Sequence, residues 1–397
     1  MRIAFLIDRF DRAKGGAEKW IALVLEELSS RGHSIDLCTM RCAGGLPAGA
    51  RQVRIRVPPL PRPFRDLVFA KRAAALIARL EPDVTVSLRH VPAADVVLAL
   101  GGLHLDALRA NALAKGGAAR TLLRSLSLKH RILLRLERDL FLGPDPRNII
   151  VPSRSVLESI RSAYPGSKAR VDVIPHGVDT DRIRPADEAA RASLRAKLGY
   201  DDGDIAALFV SHNFRLKGLH QLIEAWRELG PPFRLRVLGR DRPPRSAAGA
   251  RGIEFLGERS DVIEQLQAAD LLVHPTFHDP FPLAVVEALA CGLPVVTTRA
   301  NGVASLMTDG IEGFVIEDAR DTGALSAGVR RFADRDLARR LRAGARKLAE
   351  TLVERDLVGR TAAAIEAEGR RLGRRPRPAA ASSDASASRE ARDALTP

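Results

Sequence analysis

The sequence predicts an α/β protein of two similar domains, each a mostly parallel sheet covered by helices. Three observations carry that expectation. Short apolar runs alternate with longer amphipathic ones over the first half of the chain. The alternation restarts after about residue 200. The chain has 397 residues with 46% apolar side chains, more than one core commonly organises.

Taken in order, residues 2–7 (RIAFLI) form a first strand, a loop follows, and a helix runs from about residue 16 to 31, stopped by Gly32. Segments 34–39 and 53–57 are the next strands, a helix lies near 66–80, and strands follow at 83–87 and 95–100. In the second half, strand 205–211 leads into a helix over 218–229, and 233–239, 253–257, 270–275 and 294–298 are further strands. Between the halves, 174–185 (IPHGVDTDRIRP) is dense in turn formers and reads as the connection. Residues 352–372 read as a helix. The Ala-, Ser- and Pro-rich tail from about Arg374 has no periodicity and is expected to be disordered.

Composition narrows the function. Three cysteines, Cys38, Cys42 and Cys291, make neither a disulfide framework nor a zinc pattern, which fits a reducing cytoplasm. The five apolar residues before Asp8 suit a strand better than the core of a leader, so no signal peptide is expected. No run of about 18 apolar residues is present to span a membrane. The formal charge of +15 favours anionic partners such as nucleotide sugars, phospholipid head groups or nucleic acid. Aromatics at 4% are too few for single-strand stacking platforms, so no nucleic-acid partner is expected. From residue 107 to 138 there are many Leu and Ala, eight Lys or Arg and one acid, Glu137. Such a stretch suits either an anionic membrane surface or a packed helix with snorkelling Arg.

The stretch 274–298 (HPTFHDPFPLAVVEALACGLPVVTT) holds the sharpest signal. Pro282 suits the first position of a helix, and Gly292 followed by Pro294 suits its end. Asp279 then lies just before the helix and Glu287 inside its apolar run. Unpaired N–H groups at a helix start suit a pyrophosphate, and carboxylates suit sugar hydroxyls. On spacing alone, Asp279 as a helix cap and Glu287 as a solvated or internally paired acid are equally open.

With its acids at this spacing, 278–298 resembles the E-x7-E segment of the retaining family-4 glycosyltransferases, with Asp279 as the first acid and Glu287 as the second. The resemblance implies a GT-B fold: two Rossmann-like doubly wound domains facing a cleft, acceptor side first and donor side second. The expected division is 1–175, 176–355, a helix over 356–372 crossing back to the first domain, and the tail 373–397. The resemblance also implies that Asp279 contacts the donor sugar and Glu287 the nucleotide ribose. Pro282 stands where the family has Gly, so the backbone contact there passes to Phe281 or Leu283. Residues 211–226 (SHNFRLKGLHQLIEAW) resemble the segment that aims basic side chains at the diphosphate, here Lys217 and Arg215, as in the lipopolysaccharide core glucosyltransferase I branch. Charge on a departing diphosphate is stabilised by such cations. No Asp-x-Asp element stands out, so neither a metal nor another cofactor is expected. Gly15 and Gly16 resemble the Gly-rich loop that lets backbone approach a phosphate or acceptor. Gly302 and Val303 fall where the family runs beside the diphosphate, and the loop after Gly257, with Glu258, where it meets the base.

In that branch an acid follows the strand at 95–100. Here Gly101, Gly102, Leu103 and His104 follow, so His104 is the candidate to bind the sugar or move the acceptor's proton, with Asp106 second. The implied activity is hexose transfer from a nucleotide sugar, UDP-linked by expectation, to a glycan or lipid-linked acceptor in the cell envelope. The work would be done in the cytoplasm, with 107–138 touching the inner membrane face. Two rivals stay open: a UDP-sugar epimerase or hydrolase on the same fold, and a non-catalytic membrane- or polyanion-binding protein.

Overall fold

A computed structural model describes residues 1–12, 15–88, 90–115, 127–143 and 147–373. The expectations for 374–397 and for 116–126 of the basic stretch therefore lie outside the described residues. The first sheet comprises β1 (Arg2–Asp11), β2 (Ser34–Ala43), β3 (Ala50–Arg54), β4 (Val84–Ser87), β5 (Val96–Leu98), β6 (Asn148–Val151) and β7 (Arg170–Val173). Their order is β3-β2-β1-β4-β5-β6-β7, with every pair parallel. The second comprises β8 (Ile205–Val210), β9 (Phe233–Leu238), β10 (Ile253–Gly257), β11 (Leu271–His274), β12 (Val295–Thr298) and β13 (Gly313–Ile316), ordered β10-β9-β8-β11-β12-β13 and again all parallel. These are two Rossmann-like α/β units. In each, the strand order reverses beside the first strand, between β1 and β4 and between β8 and β11. Open α/β sheets take their ligands at the carboxyl ends of the strands at such a point.

The central strands read well from sequence because both faces are covered: Ile3 to Ile7 are all buried. The edge strand β3 differs from expectation. It spans Ala50–Arg54 rather than 53–57, pairing in register with 35–39 of β2. Its Arg51, Gln52 and Arg54 are exposed, so apolar patterning does not mark it. Strands β6, β7 and β13, four residues each, were not expected. β5 is three residues, Val96–Leu98, inside the longer 95–100 run.

The connection crosses beside the chain's later return. Val178 bridges Val353, and a Cβ on Gly177 would fall 2.3 Å from Glu354 Cα, so only glycine lets the two segments lie this close. The last helix, Glu354–Leu372, then packs on the Gly16–Ser30 helix and on β4, burying Leu357, Val358, Ala362 and Ile365. Glu366 ties it to His33 (2.8 Å) and Arg31 (3.3 Å), and Glu368 pairs with Arg170 of β7.

Candidate active site

The carboxyl end of β11 builds the site. His274 ends the strand, buried, and its Nε2 lies 3.2 Å from Asp279 Oδ2. A carboxylate can only accept, so that ring nitrogen carries the proton. The intervening loop is pinned from both sides. Phe277 N–H donates to the Leu216 carbonyl (2.9 Å), Thr298 Oγ1 donates to the Thr276 carbonyl (2.6 Å), and Asp279 N–H donates to the Ala300 carbonyl (3.0 Å). Lys217 enters from the loop after β8, with Nζ 2.5 Å from Asp279 Oδ2 and 3.0 Å from the His278 carbonyl. Gly218, at φ 78°, makes this approach possible, because a Cβ there would fall 1.9 Å from the Pro275 carbonyl oxygen.

The Lys217 and Asp279 side chains are only 16% and 14% exposed, so their attraction is screened little. Burial pushes the Asp279 carboxyl up, but the Lys217 charge and the His274 hydrogen bond outweigh it and hold it down at about 2. Asp279 is thus ionised, and it caps nothing: the following helix, Leu283–Ala290, has no side-chain cap. Pro282 sits one residue outside that helix, at its N-cap, rather than at its first position as expected. The N–H groups of Phe281, Leu283 and Ala284 have no acceptor among the described residues.

Asp279 opens on a cleft of about 510 Å³ that the first unit lines with Asp106, Arg109, Ser155 and Glu158, and the second with His278 and Arg299. Glu287 faces elsewhere, into a small cavity of about 70 Å³ with Gly16, Lys19 and Arg182. Its carboxylate has no hydrogen-bond or ion-pair partner among the described residues. Burial raises its affinity for a proton, with Lys19 and Arg182 opposing. Between the two cavities the helix starts of the two units touch: a Cβ on Gly16 would fall 2.3 Å from Leu283 Cδ1. Gly15, at φ 74°, lies exposed just before.

The remaining candidates divide. Arg215 is exposed. Gly302 is fixed by close packing, since a Cβ there would fall 1.7 Å from the Pro280 carbonyl oxygen. The Gly302 and Val303 N–H groups are already used, donating to the Asp279 carbonyl (2.8 Å) and to Asn301 Oδ1 (2.9 Å). Glu258 is exposed and 4.0 Å from His212. His104 is not brought to Asp279. It lines a different cavity, its Nε2 3.0 Å from His130 Nδ1, while Asp106, two residues on, lines the cleft. Burial lowers the His104 imidazole to about 4, against the pull of Glu137. Among the described residues no group of three or more His, Cys, Asp or Glu is placed to hold a metal ion.

Sequence reasoning missed Glu137 and His274. Glu137 is fully buried and accepts from the His104 and Leu105 N–H groups, the Tyr164 hydroxyl (2.8 Å) and His90. Burial pushes its carboxyl up, and these bonds bring it below the ordinary value. The signal available was its being the one acid in a basic stretch.

His176 sits at the junction of the units, its ring 5.0 Å from Trp20 and edge-on to Phe281 at 5.6 Å. Neither ring nitrogen has a hydrogen-bond partner among the described residues. Burial lowers it to about 4, with Asp279 opposing. A histidine whose folded pKa lies below its unfolded value of about 6.5 costs nothing at neutral pH and destabilises as pH falls toward the folded value. This residue is therefore expected to remove roughly 3 kcal/mol of stability between about pH 6.5 and 4. Urea midpoints at both pH values check it: His176→Phe should flatten the pH dependence, and an equally steep one would refute the assignment.

Two family models match the chain: "Glycosyl transferases group 1" over residues 190–348 and "Glycosyltransferase Family 4" over 14–182. The chain carries the group 1 and family 4 glycosyltransferase domains. Among relatives of this family, the lipopolysaccharide glucosyltransferase WaaG of Escherichia coli K12 is 25% identical over 315 residues, 77% of this chain and 82% of that protein. The crystal structure of WaaG superposes with a TM-score of 0.78 at 23% identity, over 91% of this chain and 99% of that one. The crystal structure of Anabaena HepE in complex with UDP-glucose gives a TM-score of 0.67 at 17% identity, over 92% of this chain and 99% of that one. The family's GT-B arrangement is thus this chain's own, and its activity is that of a glycosyltransferase.

Proposed function

We propose that this glycosyltransferase moves a hexose from a UDP-sugar to a glycan or lipid-linked acceptor, with retention of configuration, in cell-envelope polysaccharide or lipopolysaccharide synthesis. The observation that carries the reading is the Lys217–Asp279 pair at the carboxyl end of β11, with Glu287 unpartnered in the next cavity. In this reading the donor sugar lies against Asp279 and the ribose against Glu287. The diphosphate lies between them, at the helix starts of Gly15–Gly16 and of Phe281 and Leu283. Lys217 leaves Asp279 for the diphosphate, joined by Arg215, and stabilises the charge that develops as the glycosidic bond breaks. The acceptor hydroxyl attacks from the face the diphosphate leaves, and the diphosphate helps take its proton. Gly302 and Val303 shape this wall through packing, and Glu258 borders the base. Asp106 is the first unit's polar group at the reacting cleft, and His104 belongs to the acceptor side. HepE's complex with UDP-glucose, on the same fold, supports a UDP donor.

The reading also places the enzyme on the cytoplasmic face of a membrane. The helix Leu128–Phe141 exposes Arg131, Arg135 and Arg138 beside Leu128, which is 52% exposed. Among the described residues no helix is long and apolar enough to cross a membrane.

Calorimetry with UDP, UDP-glucose and UDP-galactose tests the donor. Binding of UDP is expected at micromolar Kd, and no binding of any of the three would sink the reading. NMR of the products should show transfer with the donor's anomeric configuration kept. Free sugar or an epimerised donor, formed equally with and without acceptor, would mark a hydrolase or epimerase instead.

A further inference from the structure

A second cavity, of about 260 Å³, opens in the first unit behind the start of the His104–Leu113 helix. His104 lines it, whereas Asp106 lines the Asp279 cleft. Residues two apart on a helix leave it on nearly opposite sides, so this one turn stands between the two spaces. Gly101, just before it, is exposed, and a Cβ there would meet nothing within 4 Å.

The lining of the cavity is mixed. Phe69, Leu133 and Leu136 give the lining apolar surface. Asp8, Asp66, His90, His104 and Lys129 give it polar groups. Among the described residues no hydrogen bond or ion pair engages Asp66, Lys129 or His104 Nδ1. The polar groups are nonetheless held in place. Glu137 takes the His104 backbone N–H and His90 Nε2 (3.4 Å), and the His104 ring stacks on His130. Apolar surface beside fixed donors and acceptors matches a pyranose, whose C–H faces pack on apolar side chains while its hydroxyls hydrogen-bond. The volume, at the small end of ligand sites, suits one ring rather than a nucleotide. Two carboxylates, Asp8 and Asp66, against one ammonium, Lys129, disfavour a phosphorylated sugar and leave an uncharged one.

We propose that this cavity is an acceptor subsite for a neutral pyranose, the sugar next to the one that is glycosylated, so that the enzyme acts on an acceptor of at least two sugars. The inference rests on the transferase reading above. With the reacting sugar in the cleft beside Asp106 and Asp279, the next ring passes over Gly101 into the cavity.

Two measurements test it. In the protein labelled with 15N-histidine and saturated with UDP, neutral mono-, di- and trisaccharide methyl glycosides are titrated while the imidazole signals are followed. His90 and His104 should shift with di- and trisaccharides, and the shifts should vanish in Asp66→Ala. If no sugar of the set moves them, or the shifts persist in Asp66→Ala, the subsite is overturned. In transfer assays with the same sugars, kcat/KM should favour two-sugar acceptors, and Asp66→Ala and Lys129→Ala should each reduce that preference about tenfold, as expected for losing one hydrogen bond to a charged group. An undiminished preference in both variants overturns the proposal. UDP binding to the wild type separates the failures: retained, the subsite alone is wrong; lost, the transferase reading falls with it.

Discussion

Lys217→Ala is expected to lower kcat by about 10²–10³-fold, the effect of removing one preorganised charge from the site where a transition state develops its own. The side chain is placed for that and for little else. It is one of only nine lysines among 63 basic residues, it is mostly buried, and among the described residues its ammonium reaches only Asp279 and a backbone carbonyl. Its loss also removes the main influence holding Asp279 near 2, so the Asp279 carboxyl should rise. A group with a depressed folded pKa keeps its contribution above the unfolded value and loses it as pH falls through the folded one. In the variant that contribution should shrink, because the folded value no longer lies as far below the unfolded one, and the acid limb of residual activity should move upward. Steady-state rates from pH 3 to 8, with thermal melts to show that the variant is folded, check both points. An unchanged kcat in a folded variant would refute the role of Lys217.

Gly302→Ala should be nearly as severe by a different route. The added methyl would lie 1.7 Å from the Pro280 carbonyl oxygen and 2.6 Å from its carbon. The obstacle is backbone, not the flexible end of a side chain, so the 279–281 segment must move. That segment carries Asp279, and its carbonyl is held by the Gly302 N–H itself. Overpacking commonly costs about 1–3 kcal/mol, and the upper end applies where backbone must shift. Activity should fall more than tenfold, since displacing a reacting geometry by about 1 Å can cost a hundredfold. Gly203→Ala is the control: a Cβ there meets nothing, and both stability and rate should stay as they are. Equal behaviour of the two variants would show that Gly302 does not hold the site.

The second unit was the more legible half. Its strands β8 to β12 fall within a residue or two of their expected places, because each is a short apolar run bounded by turn residues, buried in β8, β11 and β12 and only half-buried in the edge strand β10. The acid pair was visible because a carboxylate in an apolar run violates the local pattern, and such violations mark sites. What could not be read were relations between distant segments. The Lys217–Asp279 contact joins residues 62 positions apart, and Glu137 gathers donors from three other segments. His104 was the misleading case: its loop position suggested the reacting centre, but the helix it begins turns it away from Asp279 and leaves Asp106 there. Nothing in a period or a propensity distinguishes two polar residues on one helical turn.

The return of the last helix to the first unit has a consequence for how the molecule comes into being. The first unit is not a contiguous piece of chain. Its β4 and its Gly16–Ser30 helix stay uncovered until residues 354–372 arrive. Synthesis proceeds from the N-terminus, so the second unit's strands have all left the ribosome before the first unit can close. A fragment ending near residue 175 would keep that apolar face bare, and the same nineteen residues supplied as a separate peptide are the natural means of covering it.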